Sequence, residues 1–138
     1  MAYATLADLI DRYGEAELTQ LTDRLGLAAP DAATAARALD DASAEIDGYL
    51  AVRYALPLAT VPSVLVRIAA DIARYRLWDD RASEEVRRRY EDARRLLERL
   101  ASGDVSLGLP AATSAPLALA EASTGNPRLF TRTETDGY

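Results

Sequence analysis

The sequence predicts an all-α fold: a small bundle of four to five helices around a central antiparallel αα-hairpin, with an extended C-terminal arm. Three observations predict it. Ala and Leu supply most of the apolar residues and aromatics only 7%, a mix that favours helices over strands. Ile46, Tyr49, Leu50 and Arg53 fall at i, i+3, i+4 and i+7, one face of a helix. The pattern then breaks at Leu56-Pro57-Leu58, because proline disfavours helical geometry at the residue before it. Pro62 suits the first position of the next helix, where its missing N–H costs nothing. The helical body is expected over residues 1–108 and the arm over 109–138.

Thr5 is placed to cap a first short helix whose stripe is Leu6, Leu9, Ile10 and Tyr13, with Gly14 ending it. Residues 15–21 read as a second short helix with Leu18 and Leu21 inward. Gly26 and Pro30 bracket a loop. Asp31 is the expected N-cap of a long helix reaching Arg53 or Tyr54, carrying Ala35, Leu39, Ala42, Ile46, Tyr49 and Leu50 at helical period. Gly48 costs about 1 kcal/mol inside that helix relative to Ala, which suggests close packing on its face. Residues 62–78 form the next helix, with Val64, Leu65, Ile68, Ala69, Ile72, Tyr75 and Leu77 making it the most buried element.

After a turn at residues 79–82, Ser83 caps the last helix. Glu84 and Glu85 suit its N-terminal dipole, and Val86, Tyr90, Ala93, Leu96, Leu97 and Leu100 form its stripe. Gly103 is the expected C-cap. Residues 104–109 are at best a short extended segment. Residues 110–138 are rich in Ala, Ser, Thr, Gly and Pro and have no core of their own, with one helical turn at 117–121.

Composition removes several chemistries. The 138 residues contain no Cys, no His and no Lys, so all 16 basic residues are Arg. Disulfide and thiolate chemistry, the commonest general base and a lysine Schiff base are excluded. No Gly-rich phosphate loop, nucleophile elbow or zinc spacing occurs. No enzymatic activity, cofactor or metal is therefore expected. A net charge of −6 argues against holding nucleic acid across the whole surface by counterion release. The first residues are acidic by position 8 with no sustained apolar run, unlike a signal peptide. No stretch reaches the roughly 18 apolar residues of a membrane span, so a soluble intracellular protein without a membrane partner is expected.

Four sets of residues invite a functional reading. Arg87, Arg88, Arg89, Arg94, Arg95 and Arg99 could form a phosphate-binding helix. Glu84–Arg88, Glu85–Arg89 and Glu91–Arg95 are acid-first i,i+4 pairs, however, which favours a salt-bridged solvent face. A subunit contact through Arg87, Arg88, Arg94 and Arg95 is the next reading. The acidic residues Asp8, Asp11, Glu15, Glu17, Asp23, Asp40 and Asp41 lack an oxygen-rich loop and read as caps and solvated carboxylates. Arg53, Tyr54, Arg67, Asp71, Arg74 and Tyr75 read as structural, the Arg stems lying along the core with heads outside, and Arg67 pairing with Asp71. Ile46, Tyr49, Leu50, Pro57, Pro62, Leu65, Ile68 and Ile72 join that structural set. Arg128, Leu129, Phe130, Arg132 and Tyr138 are either a solvated end or an arm that orders on a partner.

One resemblance covers nearly the whole chain. Leu9-Ile10-Asp11-Arg12-Tyr13-Gly14-Glu15, the string Ile46-Asp47-Gly48-Tyr49-Leu50-Ala51-Val52-Arg53-Tyr54 with Leu56-Pro57-Leu58, Val61-Pro62, and the closing Arg128-Leu129-Phe130-Thr131-Arg132 resemble the small head–tail connector proteins of Mu-like phages and prophages. The resemblance implies a structural role. Such connectors form a ring, commonly of twelve subunits, below the portal vertex. They bridge the portal protein to the next connector or the tail terminator, and genomic DNA passes through the bore without its sequence being read. It implies a place in the virion neck, reached from the host cytoplasm during assembly, and an arm that meets the portal or an adjacent subunit. An acidic balance suits a channel that must let DNA slide. The alternative is a small helical DNA-binding or regulatory module using the Arg-rich helix 84–101.

Overall fold

Three of the five α-helices begin where a side chain serves the free N–H groups of the first turn. In the computed structural model, which describes residues 2–110, the first helix, α1, spans Leu6–Tyr13. Thr5 Oγ1 accepts the Asp8 N–H, and the Asp8 carboxylate accepts the Thr5 N–H in return, a reciprocal capping box. Gly14 separates α1 from α2, Glu15–Thr22. Asp31 caps α3, Ala32–Leu50, by accepting from the N–H groups of Ala33 and Thr34. Ser83 caps α5, Glu84–Ser102, by accepting from Val86. Gly103 ends α5 in the left-handed region at φ 93° and ψ 0°, a conformation that glycine adopts without a Cβ clash. Between them α4 spans Ser63–Trp78, followed by a 3₁₀ turn at Asp79–Arg81. The described residues thus form five α-helices and no strand, an all-α bundle.

Two boundaries and one packing expectation differ from the sequence reading. α3 stops at Leu50 rather than at Arg53 or Tyr54, because the N–H groups of Arg53 and Tyr54 both converge on the Leu50 carbonyl and close the helix there. Pro62 is the N-cap of α4 with ψ 148°, so helical geometry starts one residue later. Gly48 is exposed, and a Cβ there would meet no atom within 4 Å. Close packing on that face is therefore absent, and nothing in the structure requires glycine at this position.

Long-range contacts give the helix directions. Tyr90 meets Glu45 while Gly103 meets Arg53, so α5 runs parallel to α3. Arg89 approaches Asp71 while Leu100 lies beside Val64, so α4 runs antiparallel to both. The α3–α4 pair is the most extensive helix–helix contact, as the expected hairpin requires. Its close approach rests on buried alanines: Ala35, Ala38 and Ala42 on α3, and Ala69, Ala70 and Ala73 on α4. Ile46, Leu50, Leu65, Ile68, Ile72, Leu97 and Leu100 fill the centre, and Leu9 and Leu18 close it from α1 and α2. Burying each such side chain contributes about 1.5–3 kcal/mol.

Beyond α5 the chain turns back across the end of the bundle. Val105, Leu107 and Leu109 alternate inward while Ser106 and Gly108 face solvent. The Leu107 N–H donates to the Tyr54 hydroxyl at 3.1 Å. Among the described residues no helix is long and apolar enough to cross a membrane. The expected helical turn at 117–121 and most of the arm lie outside the described residues.

Candidate interaction surfaces

The outer face of α5 carries its arginines in helix-local pairs. Arg88 lies 4.0 Å from Glu84, Arg89 3.2 Å from Glu85, and Arg95 3.9 Å from Glu91. Arg95 also meets Asp92 at 2.8 Å, and Arg94 meets Glu98 at 3.8 Å. These side chains are all at least 44% exposed, Glu91 the least, so each pair contributes at most about 0.5 kcal/mol. Their electrostatic effect is to neutralise the face, which leaves it a poor track for phosphates. Arg87 is exposed and makes no ion pair among the described residues.

A second set of charges is organised differently. Asp71 sits on the buried side of α4, only 2% exposed. The Tyr13 hydroxyl, from α1, donates to its Oδ1 at 2.6 Å. Arg67 lies 3.8 Å away on the same helix, as the i,i+4 spacing suggests, and Arg89 of α5 lies 3.9 Å away. One turn further along α4, Arg74 donates twice to Glu17 of α2, from Nε at 2.6 Å and from Nη2 at 3.0 Å. The Trp78 indole N–H donates to the same carboxylate at 3.1 Å. The Arg74 guanidinium also stacks over the Tyr13 ring, 4.3 Å from its centroid. α1, α2 and α4 are thereby tied together by charge-assisted bonds in a partly dry setting, with Arg89 of α5 in ion-pair range of Asp71.

The protonation equilibria follow from this geometry. Burial would raise the Glu17 carboxyl, but the bonds from Arg74 and Trp78 and the Arg74 charge outweigh it and hold the group below its ordinary range. Burial likewise opposes the Arg74 charge, and Glu17 more than restores it. Burial pushes the Tyr13 phenol up, and its bond to Asp71 pushes it further. Beside this network opens a cleft of about 310 Å³ lined by Arg12, Tyr13, Asp71, Arg74, Glu85 and Arg89.

Glu17 is therefore not a solvated carboxylate, and Arg74 does not send its head into solvent as a simple stem-and-head reading expects. Their separation of 57 residues leaves no local signal. The available hint is that a helix as apolar as α4 carries Asp71 and Arg74 at all, since buried charges need partners. The other acidic residues behave more simply. Asp8 is part of a cap, and Asp23 accepts the N–H groups of Leu27 and Ala28 at 3.0 and 2.7 Å. Those bonds hold the loop after α2, which displays Leu25 and Leu27 to solvent. Tyr75 stacks on Tyr90 with centroids 4.2 Å apart, and Glu45 accepts from both Arg76 and Tyr90.

Arg53 departs from expectation most clearly. Its Nη1 is buried and has no hydrogen-bond partner among the described residues. The guanidinium lies against Gly103, where a Cβ would stand 2.7 Å from Nη1. The head is thus inside the fold, at the carbonyl end of α5, where the helix dipole favours a cation. An apolar groove of about 270 Å³, formed by Val64, Leu96, Leu100, Val105 and Leu107, opens at the same end of the bundle. The arm residues Arg128, Leu129, Phe130, Arg132 and Tyr138 lie outside the described residues.

The residues that build these surfaces fall within a longer match. Residues 3–124 match the family described as Bacteriophage Mu, Gp36. The chain belongs to this family. It is 48% identical over 107 residues to the Mu-like prophage FluMu protein gp36 of Haemophilus influenzae, covering 78% of this chain and 76% of that one. It is 41% identical over 116 residues to Gene product J of Escherichia phage Mu, covering 83% of this chain and 82% of that one. As a member of the Gp36 family it is a Mu-like phage protein. The family match takes in the whole helical body and continues into the residues after Pro110.

Proposed function

We propose that the protein is a structural subunit of the phage head–tail connector, forming a ring in the virion neck that bridges the portal to the next connector or the tail terminator. Its partners are then copies of itself, in a dodecamer, and the portal protein. Genomic DNA passes through the bore without base readout, and the subunit carries out no reaction. The observation that carries this reading is the match of residues 3–124 to a Mu phage family, together with the connector-like string from Ile46 to Pro62. In the structure that string is the end of α3 and the link into α4, the most buried helix.

The geometry also supports a building block. Tyr13, Glu17, Asp71, Arg74 and Trp78 lock three helices, α1, α2 and α4, into one body, and Val105, Leu107 and Leu109 pack against its core. The regulator reading has less support, because Arg88, Arg89, Arg94 and Arg95 pair with glutamates and aspartates on the same helix, although Arg87 and Arg99 do not among the described residues.

The test is a phage or prophage carrying a nonsense codon in this gene. Heads and tails that accumulate unjoined, with the protein present in purified wild-type particles by mass spectrometry, are the expected result. Normal infectious particles without the protein would overturn the proposal.

A further inference from the structure

The cleft beside Asp71 differs from every other charged surface described above. Arginines from three helices converge on it: Arg12 from the last turn of α1, Arg74 from α4 and Arg89 from α5. They face two carboxylates, Asp71 and Glu85. The lining therefore carries an excess of positive charge in a chain whose net charge is −6. Arg74 is committed to Glu17 and Tyr13. The other two guanidiniums are not similarly engaged. Arg12 is exposed and makes no hydrogen bond or ion pair among the described residues. Arg89 bonds Glu85 through Nε at 3.2 Å, while its Nη1 stands 3.9 Å from Asp71, beyond hydrogen-bond length.

We propose that this cleft is a docking site for an acidic peptide segment of a protein partner, a carboxylate of which is clamped between Arg12 and Arg89. Guanidinium forks match carboxylates in bidentate geometry. The Tyr13–Asp71–Arg74 floor is held by contacts from α2 and α4, so the receiving surface is formed before the partner arrives. A duplex fits the site poorly. The α5 face adjoining it is already neutralised, so a phosphate backbone would find no basic track beyond the cleft. The site does not depend on where in the particle the protein resides, so it stands or falls separately from the connector assignment.

The experiment uses the full chain and a fluorescein-labelled oligoglutamate peptide, followed by anisotropy and by emission of Trp78, the one tryptophan of the chain, which shares Glu17 with Arg74. Saturable binding that weakens with salt is expected. The pair Arg12→Gln and Arg89→Gln should weaken it about tenfold, as expected for loss of charge-assisted bonds. The pair Arg94→Gln and Arg95→Gln, on α5 outside the cleft, should leave it unchanged. Arg12→Glu alone, at an exposed position that no fold contact uses, keeps the test valid if the double variant fails to fold, and should abolish binding. Equal affinity for all variants, or no saturable binding, would overturn the proposal. So would tighter binding of a duplex oligonucleotide that is lost in the same Arg12 and Arg89 variants, which would assign the cleft to nucleic acid.

Discussion

Two groups of ion pairs in this protein use the same residue types to different ends. On α5, Arg88, Arg89, Arg94 and Arg95 pair with acids three or four residues away, in side chains about half-exposed or more. Around α4, Arg74 and Asp71 reach partners on α1, α2 and α5, with the Arg74 and Glu17 side chains only 12% and 20% exposed. The first group solubilises one helix. The second sets how four helices sit against each other, because removing one member leaves the other charged and poorly hydrated. Proximity in sequence and importance to the fold therefore run in opposite directions here.

The largest effect is expected at the interior group. Glu17→Ala strands the Arg74 guanidinium and the Trp78 N–H, and should lower stability by about 3 kcal/mol in urea unfolding. A double-mutant cycle on Glu17 and Arg74 should return a coupling of about 2 kcal/mol, against less than about 0.5 kcal/mol for Glu85 and Arg89. Comparable couplings would erase the distinction between the two regions.

Next in size is Gly103→Ala. It places a Cβ at φ 93° and 2.7 Å from the buried Arg53 Nη1, so a loss of about 1–2 kcal/mol is expected. Arg53→Met, which removes the unpartnered head, should relieve part of that loss in the double variant.

The pH dependence separates the regions again. Glu17 has a folded pKa below the ordinary 4.5, so the stability it contributes is present above pH 4.5 and is lost as pH falls through the lowered folded value. Tyr13 has a folded pKa above the ordinary 10.0, so its contribution is present below pH 10 and is lost as pH rises through the raised folded value. Tyr3, raised by burial and by its bond to Asp47, adds to the alkaline loss. Thermal melts against pH should therefore show an acid slope that Glu17→Gln flattens and an alkaline slope that Tyr13→Phe reduces, with neither changed by Arg88→Ala or Arg95→Ala. The smallest effect is a gain: Gly48→Ala should stabilise α3 by about 0.5–1 kcal/mol, since the site is exposed and open.

The same contrast explains what could be read from the residues alone. Caps at Thr5, Asp31, Ser83 and Gly103 are local chemistry and stand where the sequence places them. The proline break at Pro57, the stripe of α4 and the Glu–Arg pairs of α5 are local too. The Tyr13–Asp71 and Glu17–Arg74 contacts join residues 58 and 57 apart, and only the packing of α1 and α2 on α4 creates them. Arg53 shows the limit from the other side. Its place on an apolar stripe was plain, but the burial of its head depends on the chain reversing at Gly103 and on Val105–Leu109 folding back over that end.

The structural assignment is tested most directly by a reconstruction of the neck in purified particles. A ring of density between portal and tail that accepts the α3–α4–α5 body, with the α3–α4 link and the groove at Val64 and Leu107 at defined subunit or portal boundaries, is the predicted result. A neck accounted for entirely by other proteins would contradict it.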